Sequence, residues 1–161
     1  MKHRPTASSK SWPGVRIVVA TRWPSRRISS SSGRIANGVV NVRSCPTYTW
    51  TAPGVLLVDG DDGLGPAIAT ATVEQLARRA HTQGITLALV RRAHHLGMLA
   101  PYVERLAELG CVGIASCTSE ALVHAWGAFE PMVGTNPLAI AVPIDGHPPL
   151  SMDMSTGATS R

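Results

Sequence analysis

The sequence has few aromatic residues, few cysteines and no long apolar run. Phe, Trp and Tyr make up 4% of the 161 residues, which excludes the rows of aromatic side chains that stack bases of single-stranded nucleic acid. The three cysteines, Cys45, Cys111 and Cys117, are too few for a disulfide framework and favour a reducing compartment. No apolar stretch reaches the length of a transmembrane helix, so we expect a cytoplasmic protein with no membrane partner.

Acidic residues are absent from residues 1–32, which hold seven Lys or Arg and eight Ser. This segment has no helix or strand periodicity, and we interpret it as a disordered or non-native leader; its composition is also typical of an organellar transit peptide. Residues 33–161 carry a net charge of −2, so the overall charge of +5 is a property of the leader. We therefore expect no nucleic-acid partner, and a phosphate-binding leader is the alternative.

Strand and helix patterns alternate in the middle of the chain, which is typical of an α/β fold. Two later apolar runs are close enough for an antiparallel hairpin, so the expected fold is α/β with a mixed sheet and flanking helices. The predicted strands are 54–59, 85–90, 111–116, 138–142 and 150–154, and the predicted helices are 66–82, 99–109 and a short one at 119–125.

The glycine-rich segment Gly60–Gly65 (Gly-Asp-Asp-Gly-Leu-Gly) precedes the first predicted helix. Its spacing differs from the G-x-G-x-x-G fingerprint of dinucleotide-binding Rossmann folds. The carboxylates of Asp61 and Asp62 would also repel a phosphate. We interpret the segment as a tight turn between a strand and a helix.

Three short polar motifs follow predicted strands or turns in the second half of the chain. His94-His95-Leu96-Gly97 lies between a predicted strand and a predicted helix. An imidazole and free backbone amides at this position can bind an anion, and the equally supported alternative is that one histidine caps the helix. Gly134-Thr135-Asn136-Pro137 is a turn that offers a hydroxyl and an amide to a carboxylate. Asp153-Met154-Ser155-Thr156 is either a cap or a ligand contact.

Metal binding is not expected. The histidines and cysteines of the second half have neither the C-x-x-C nor the H-x-x-x-H spacing of a zinc site.

The ordered set of motifs resembles the type-2 malate/L-lactate dehydrogenase family, which includes ureidoglycolate and sulfolactate dehydrogenases and Δ1-piperideine-2-carboxylate reductases. The resemblance runs from about Gly33 to Thr156. Its other matching segments are Leu56-Leu57-Val58-Asp59-Gly60, Gly63-Leu64-Gly65 and Trp126-Gly127.

The resemblance implies an NAD- or NADP-dependent oxidoreductase. It also implies an α/β fold with a mixed sheet that is not a Rossmann fold, which agrees with the missing glycine fingerprint. Such an enzyme interconverts 2-hydroxy and 2-oxo acids or reduces cyclic imino acids, and family members are usually homodimers. By motif, the implied cofactor contacts are His95, Leu96, Gly97, Met98, Leu99, Asp153, Met154 and Ser155, and the implied substrate contact is Thr135.

The chain departs from the family where the proton donor is expected. The family's Ser-His-Gly segment would lie near Arg22-Trp23 and is missing, so no catalytic residue is assigned. We expect residues 33–161 to be part of an oxidoreductase domain, truncated and impaired in activity. The alternative is a non-enzymatic remnant that at most binds a nucleotide or a full-length partner.

Overall fold

The computed structural model describes residues 16–22, 35, 38–119, 121, 123–155 and 157, with the backbone alone for residues 16–22. These residues form nine strands and two helices. The strands are β1 (Arg16–Arg22), β2 (Thr47–Ala52), β3 (Val55–Gly63), β4 (Ile85–Ala93), β5 (Val112–Cys117), β6 (Val123–His124), β7 (Pro131–Val133), β8 (Leu138–Ile144) and β9 (His147–Met154), and the helices are α1 (Gly65–Gln83) and α2 (Ala100–Glu108).

Seven strands form one mixed sheet in the order β2-β3-β4-β1-β5-β8-β9. Strands β3, β4, β1 and β5 are parallel, whereas β2, β8 and β9 each run antiparallel to their neighbour. Helix α1 connects β3 to β4 and helix α2 connects β4 to β5, as parallel strands require crossover connections. The predicted α/β class with a mixed sheet is confirmed, and so is the predicted β8–β9 hairpin.

Both helices pack on one face of the sheet and against each other. Alternate residues of the strands point into this layer, among them Leu56 and Val58 of β3, where they meet apolar side chains of α1 and α2. Each helix is followed by a glycine with positive φ, Gly84 at 76° and Gly110 at 79°, a conformation in which most other residues are strained. The helix bounds that glycine and proline positions predict are thereby confirmed to within two residues.

Strand β1 falls inside the segment expected to be disordered or non-native. Its backbone pairs in parallel with β4 on one side and β5 on the other, which corrects the expectation of disorder for residues 16–22. The apolar run Ile17-Val18-Val19-Ala20 has high strand propensity, but it is too short to give a periodic signal. The other residues of the leader lie outside the described part of the chain.

Three further elements differ from the predictions. The short helix predicted at 119–125 is wrong, because Val123–His124 form β6 and pair with β7. Strand β2 was not predicted, since its sequence Thr-Tyr-Thr-Trp-Thr-Ala has alternating threonines on an edge strand and no apolar run. Strand β3 extends through the predicted turn to Gly63, with an irregular register after Asp59.

Neither of the two helices in the described residues is long and apolar enough to cross a membrane.

Candidate functional site at the carboxyl edge of the sheet

The three polar motifs meet at one edge of the sheet. The parallel strands β4 and β5 end there, and the segment His94–Leu99 follows β4 directly. Strand β8 runs in the opposite direction, so its first residue, Leu138, pairs with Ser116 near the end of β5. Leu138 also pairs with Met154 at the end of β9. The Gly-Thr-Asn-Pro and Asp-Met-Ser motifs therefore lie at the same edge as the histidines, where α/β proteins commonly bind ligands.

The segment His95–Leu99 presents some of its residues to solvent and buries others. His95, Gly97 and Met98 are exposed, and Met98 retains 73% of its accessible surface. Gly97 has a φ of 74° and no atom of another residue within reach of a β-carbon, so its backbone is open to a ligand. The side chains of Leu96 and Leu99 belong to the core instead. A ligand at this segment would meet His95, Gly97 and Met98 rather than the two leucine side chains.

The carboxylate of Asp153 joins the end of β9 to the start of α2. Its Oδ2 atom accepts hydrogen bonds from the backbone N–H of Leu99 at 2.7 Å and of Ala100 at 2.8 Å. Asp153 therefore caps helix α2 from strand β9, because neither α2 nor the residue before it supplies a capping side chain. Asp153 is thereby placed beside the segment His95–Leu99.

The backbone amides at the start of α2 are consequently engaged within the protein. Leu99 and Ala100 donate to Asp153, Pro101 has no N–H, and Tyr102 donates to the Leu99 carbonyl at 3.1 Å. The partial positive charge at the start of a helix attracts an anion, and at α2 this anion is the Asp153 carboxylate. The expectation that free amides at this helix start favour a ligand anion is therefore wrong.

Ser119 organises the Gly-Thr-Asn-Pro turn. Its Oγ atom accepts a hydrogen bond from the backbone N–H of Thr135 at 2.8 Å and lies 3.1 Å from the Thr135 Oγ1 atom. In return, the Asn136 side-chain oxygen accepts from the backbone N–H of Ser119 at 3.1 Å. Asn136 has a positive φ of 37°, and a β-carbon at Gly134 would overlap the Ser119 carbonyl. These contacts hold the Thr135 hydroxyl and the Asn136 amide in a fixed arrangement.

The role of Ser119 is not evident from the sequence, in which this residue begins the short helix predicted at 119–125. Its partners are 16 and 17 positions away, a distance that no local pattern reveals.

Ser155 lies next to this turn. A β-carbon at Gly157 would be 3.5 Å from both the Ser155 Oγ and the Thr135 Cγ2 atoms, so the three residues are neighbours. The Ser155 hydroxyl oxygen accepts a hydrogen bond from the Gly157 N–H at 3.1 Å. The fourth residue of the motif, Thr156, lies outside the described residues.

An ion-pair network lies at the ends of β3 and β4. Arg92 contacts the carboxylates of Asp59, Asp61 and Asp62, and Arg91 contacts Asp59 at 3.1 Å. A hydrogen bond from the Asp61 backbone N–H, together with the charges of Arg92 and Arg91, lowers the pKa of Asp59 below its usual value. The carboxylates of the Gly60–Gly65 segment are thus paired with arginine, in agreement with a structural turn.

In the part of the chain that the structure describes, no group of three or more His, Cys, Asp or Glu side chains is arranged to hold a metal ion. No disulfide joins cysteines in the part of the chain that the structure describes, and burial raises the pKa of Cys111. This thiol is therefore a core side chain and not a reactive nucleophile.

Comparisons with known proteins identify one enzyme family for this chain. A sequence profile of the malate/L-lactate dehydrogenase family matches residues 25–161, so the match begins before Gly33. The Δ1-pyrroline-2-carboxylate reductase of Pseudomonas fluorescens is 35% identical over 127 residues, which are 79% of this chain and 38% of the reductase. The NAD⁺-dependent ureidoglycolate dehydrogenase of Escherichia coli O157:H7 is 30% identical over 130 residues, which are 81% of this chain and 37% of that enzyme.

The fold is similar to that of solved dehydrogenases. The crystal structure of malate dehydrogenase from Entamoeba histolytica matches with a TM-score of 0.75 and 29% sequence identity, over 80% of this chain and 36% of that one. The chain thus spans less than two fifths of the length of these relatives.

Proposed function

The chain belongs to the malate/L-lactate dehydrogenase family, and we propose that it binds a nicotinamide dinucleotide, NAD or NADP, at the carboxyl edge of its sheet. The family resemblance implies that two segments contact the cofactor, His95–Leu99 and Asp153–Ser155. These two segments lie side by side at this edge. The single observation that carries the proposal is the Asp153 carboxylate, which joins the two segments across 54 positions of sequence.

The exposed residues of this edge suit a dinucleotide. The imidazole of His95 can donate a hydrogen bond to a phosphate or a carboxamide. The open backbone at Gly97 allows close approach, and the flexible thioether side chain of Met98 can pack against a planar ring. In this proposal Leu96 and Leu99 support the segment from the core, and Asp153 positions it, while Met154 and Ser155 border the ligand.

Thr135 is the proposed substrate contact. The bound cofactor would supply or accept a hydride, and the protein would hold the substrate beside it. The Thr135 hydroxyl and the Asn136 amide are neutral groups that Ser119 fixes in place, and they suit the carboxylate of a 2-oxo acid, a 2-hydroxy acid or a cyclic imino acid. The relatives named above act on ureidoglycolate, pyrroline-2-carboxylate and malate, as their names state.

Proton transfer is the step for which we assign no donor in this chain. Reduction of a carbonyl requires a proton donor at the developing alkoxide. Strand β1 ends at Arg22 on this edge, between β4 and β5, where the family resemblance leads us to expect a histidine. An arginine keeps its proton at neutral pH. We therefore propose intact cofactor binding with slow turnover; the same arginine favours the second candidate, a non-enzymatic remnant that binds nucleotide.

Fluorescence titration with NADH and NADPH tests the proposal on the whole chain. We expect saturable binding of at least one nucleotide, weakened roughly tenfold by His95→Ala, as loss of one hydrogen bond to a charged group predicts. His147→Ala is the matched control and should leave affinity unchanged, because His147 is an exposed histidine at the start of β9, the end of the strand opposite Asp153. Absence of saturable binding overturns the proposal.

Steady-state oxidation of NADH or NADPH then separates the two candidates. Oxaloacetate, pyruvate and piperideine-2-carboxylate represent the proposed substrate classes. Measurable turnover of any of them supports the slow enzyme, and binding without turnover supports the remnant.

A further inference from the structure

Two arginines of helix α1 border a shallow cleft between that helix and strand β2. The cleft has a volume of about 510 Å³, and it is lined by Trp50 of β2 and by Gln75, Arg78, Arg79 and Thr82 of α1. The four helix positions are three or four residues apart, so they share one side of the helix. We call this surface the arginine cleft.

The arginine cleft lies at the edge of the sheet opposite to the proposed nucleotide site. Trp50 pairs with Leu56 near the start of β3, and Leu56 pairs with Ala88 of β4. Ala88 precedes the end of β4 at Ala93 by five residues. The cleft is therefore about 17 Å from that end of the strand, at roughly 3.3 Å per residue. The two surfaces are separate.

The guanidinium of Arg79 packs over the indole ring of Trp50. Its Cζ atom lies 4.4 Å from the ring centroid, a cation–π contact that holds the side chain in place. A guanidinium is planar and directs its N–H groups within its own plane, so contact with a ring leaves donors for an anion. The Arg79 Nε atom is buried and has no hydrogen-bond partner among the described residues. A partly buried cation in this situation is stabilised by a counter-ion.

No carboxylate pairs with Arg78 or Arg79 in the described ranges of the chain. The ion pairs found there all belong to Arg91, Arg92 or Arg105. The two arginines of the cleft thus differ from these three in that they lack an acidic partner.

The rest of the chain offers almost no acidic residue that could serve. Residues 1–32 contain no Asp or Glu, and Glu120 is the only acidic residue outside the described ones. In the sequence, Glu120 comes three positions after Cys117, the last residue of β5, and β5 ends at the other edge of the sheet. An anion from solution is therefore the counter-ion available to Arg78 and Arg79.

We propose that the arginine cleft binds a phosphate group, either inorganic phosphate or a small phosphate ester. A phosphate monoester carries about −1.5 to −2 charges at neutral pH, which matches two guanidinium groups better than one carboxylate does. The planar forks of Arg78 and Arg79 can each donate two parallel hydrogen bonds to phosphate oxygens, and the Gln75 amide adds a donor. The C-terminal end of α1 opposes an anion with a partial charge of only about −0.5, which the two guanidinium charges outweigh.

Titration of the whole chain with inorganic phosphate tests the site, with sodium chloride at equal ionic strength as the reference. The NMR signals of the Trp50 indole N–H and the Arg79 Nε–H report on the cleft. We expect both to shift saturably with phosphate and not with chloride. In Arg79→Gln, the Trp50 signal should report an affinity roughly tenfold weaker, as loss of a hydrogen bond to a charged group predicts.

Two further variants keep the test independent of folding effects. Arg78→Gln should also weaken phosphate binding roughly tenfold, and because Arg78 is exposed, its replacement leaves the core intact. Arg43→Gln is the matched control: it makes the same charge change at an exposed arginine outside the cleft, and it should leave the affinity unchanged.

A parallel titration with glycerol 3-phosphate distinguishes the two sources of the phosphate group. Tighter binding than that of inorganic phosphate identifies an ester as the ligand, and equal or weaker binding identifies free phosphate. Shifts that chloride reproduces, shifts that do not saturate, or an affinity that both Arg78→Gln and Arg79→Gln leave unchanged overturn the proposal. His95→Ala should not alter phosphate binding at Trp50, so this result does not depend on whether the chain binds a nucleotide at the other edge.

Discussion

The Asp153 carboxylate accepts a 2.7 Å hydrogen bond from the backbone N–H of Leu99, although the two residues are 54 positions apart in the sequence. This contact fixes the segment His95–Met98 relative to the end of β9. An acid that looks like a ligand contact in the sequence thus also caps a helix in the fold. Its removal should affect both stability and nucleotide affinity.

Asp153→Ala should lower the free energy of unfolding by about 1 kcal/mol, the usual cost of losing a helix cap. It should also weaken nucleotide binding, because the segment before α2 loses its anchor. Urea denaturation and NADH titration measure the two effects. Ser151→Ala is the control on the same side of β9: it removes a solvent-exposed bond to Glu104 and should change stability by less than about 0.5 kcal/mol.

Ser119→Ala should loosen the Gly-Thr-Asn-Pro turn. The Thr135 N–H loses its acceptor, so its amide hydrogen exchange should become roughly tenfold faster, and substrate affinity should fall in parallel. Thr70→Ala, which removes a hydroxyl bonded within α1, should leave Thr135 exchange unchanged. Unaltered protection of Thr135 in the Ser119 variant would show that Ser119 does not hold this turn.

The ionised carboxylate of Asp59 should stabilise the fold at neutral pH, and this contribution should be lost in acid. Its native pKa is lowered by the Asp61 N–H and by two arginines, so the contribution is present above the unfolded-state pKa of about 3.9 and is lost as pH falls through the native pKa. Asp59→Asn should therefore reduce the loss of stability between pH 5 and pH 2. Denaturation over this range measures it, with Asp145→Asn in the exposed β8–β9 turn as control; identical pH profiles for the wild type and Asp59→Asn contradict the prediction.

Gly65→Ala should destabilise the fold by roughly 1–3 kcal/mol, because the new β-carbon would overlap the His94 carbonyl. Gly110→Ala has open space around it and a positive φ, so it should cost only about 1 kcal/mol of backbone strain. The order of the two melting temperatures tests whether α1 begins in close contact with the His94 carbonyl. A Gly65 variant as stable as the Gly110 variant would be contrary to this expectation.

The α/β class and most element bounds follow from the sequence because they depend on local signals. Apolar runs predict β4 and β5, and the glycines after α1 and α2 mark where those helices end. Strand β1 was missed because its apolar run is short and its strand partners, β4 and β5, are distant in the sequence. The predicted helix at 119–125 fails for a similar reason, since Val123 pairs with Val133 on β7.

The candidate site could be predicted only in part. Motif composition identifies Thr135 and Asp153, but not the contacts that connect them to Ser119 and Leu99, because those contacts cross the fold. The burial of Leu96 and Leu99 is likewise decided by tertiary packing. The roles assigned to these residues by family resemblance remain predictions.

Mapping NADH and NADPH binding by amide chemical shifts tests the central claim most directly. The predicted result is saturable perturbation of His95–Met98 and Asp153–Ser155, with Thr135 responding when a 2-oxo acid is added. Binding elsewhere would contradict the claim, for example at the cavity of about 360 Å³ that Asn41, Tyr48 and Ala67 help to line. So would the absence of any perturbation at saturating nucleotide.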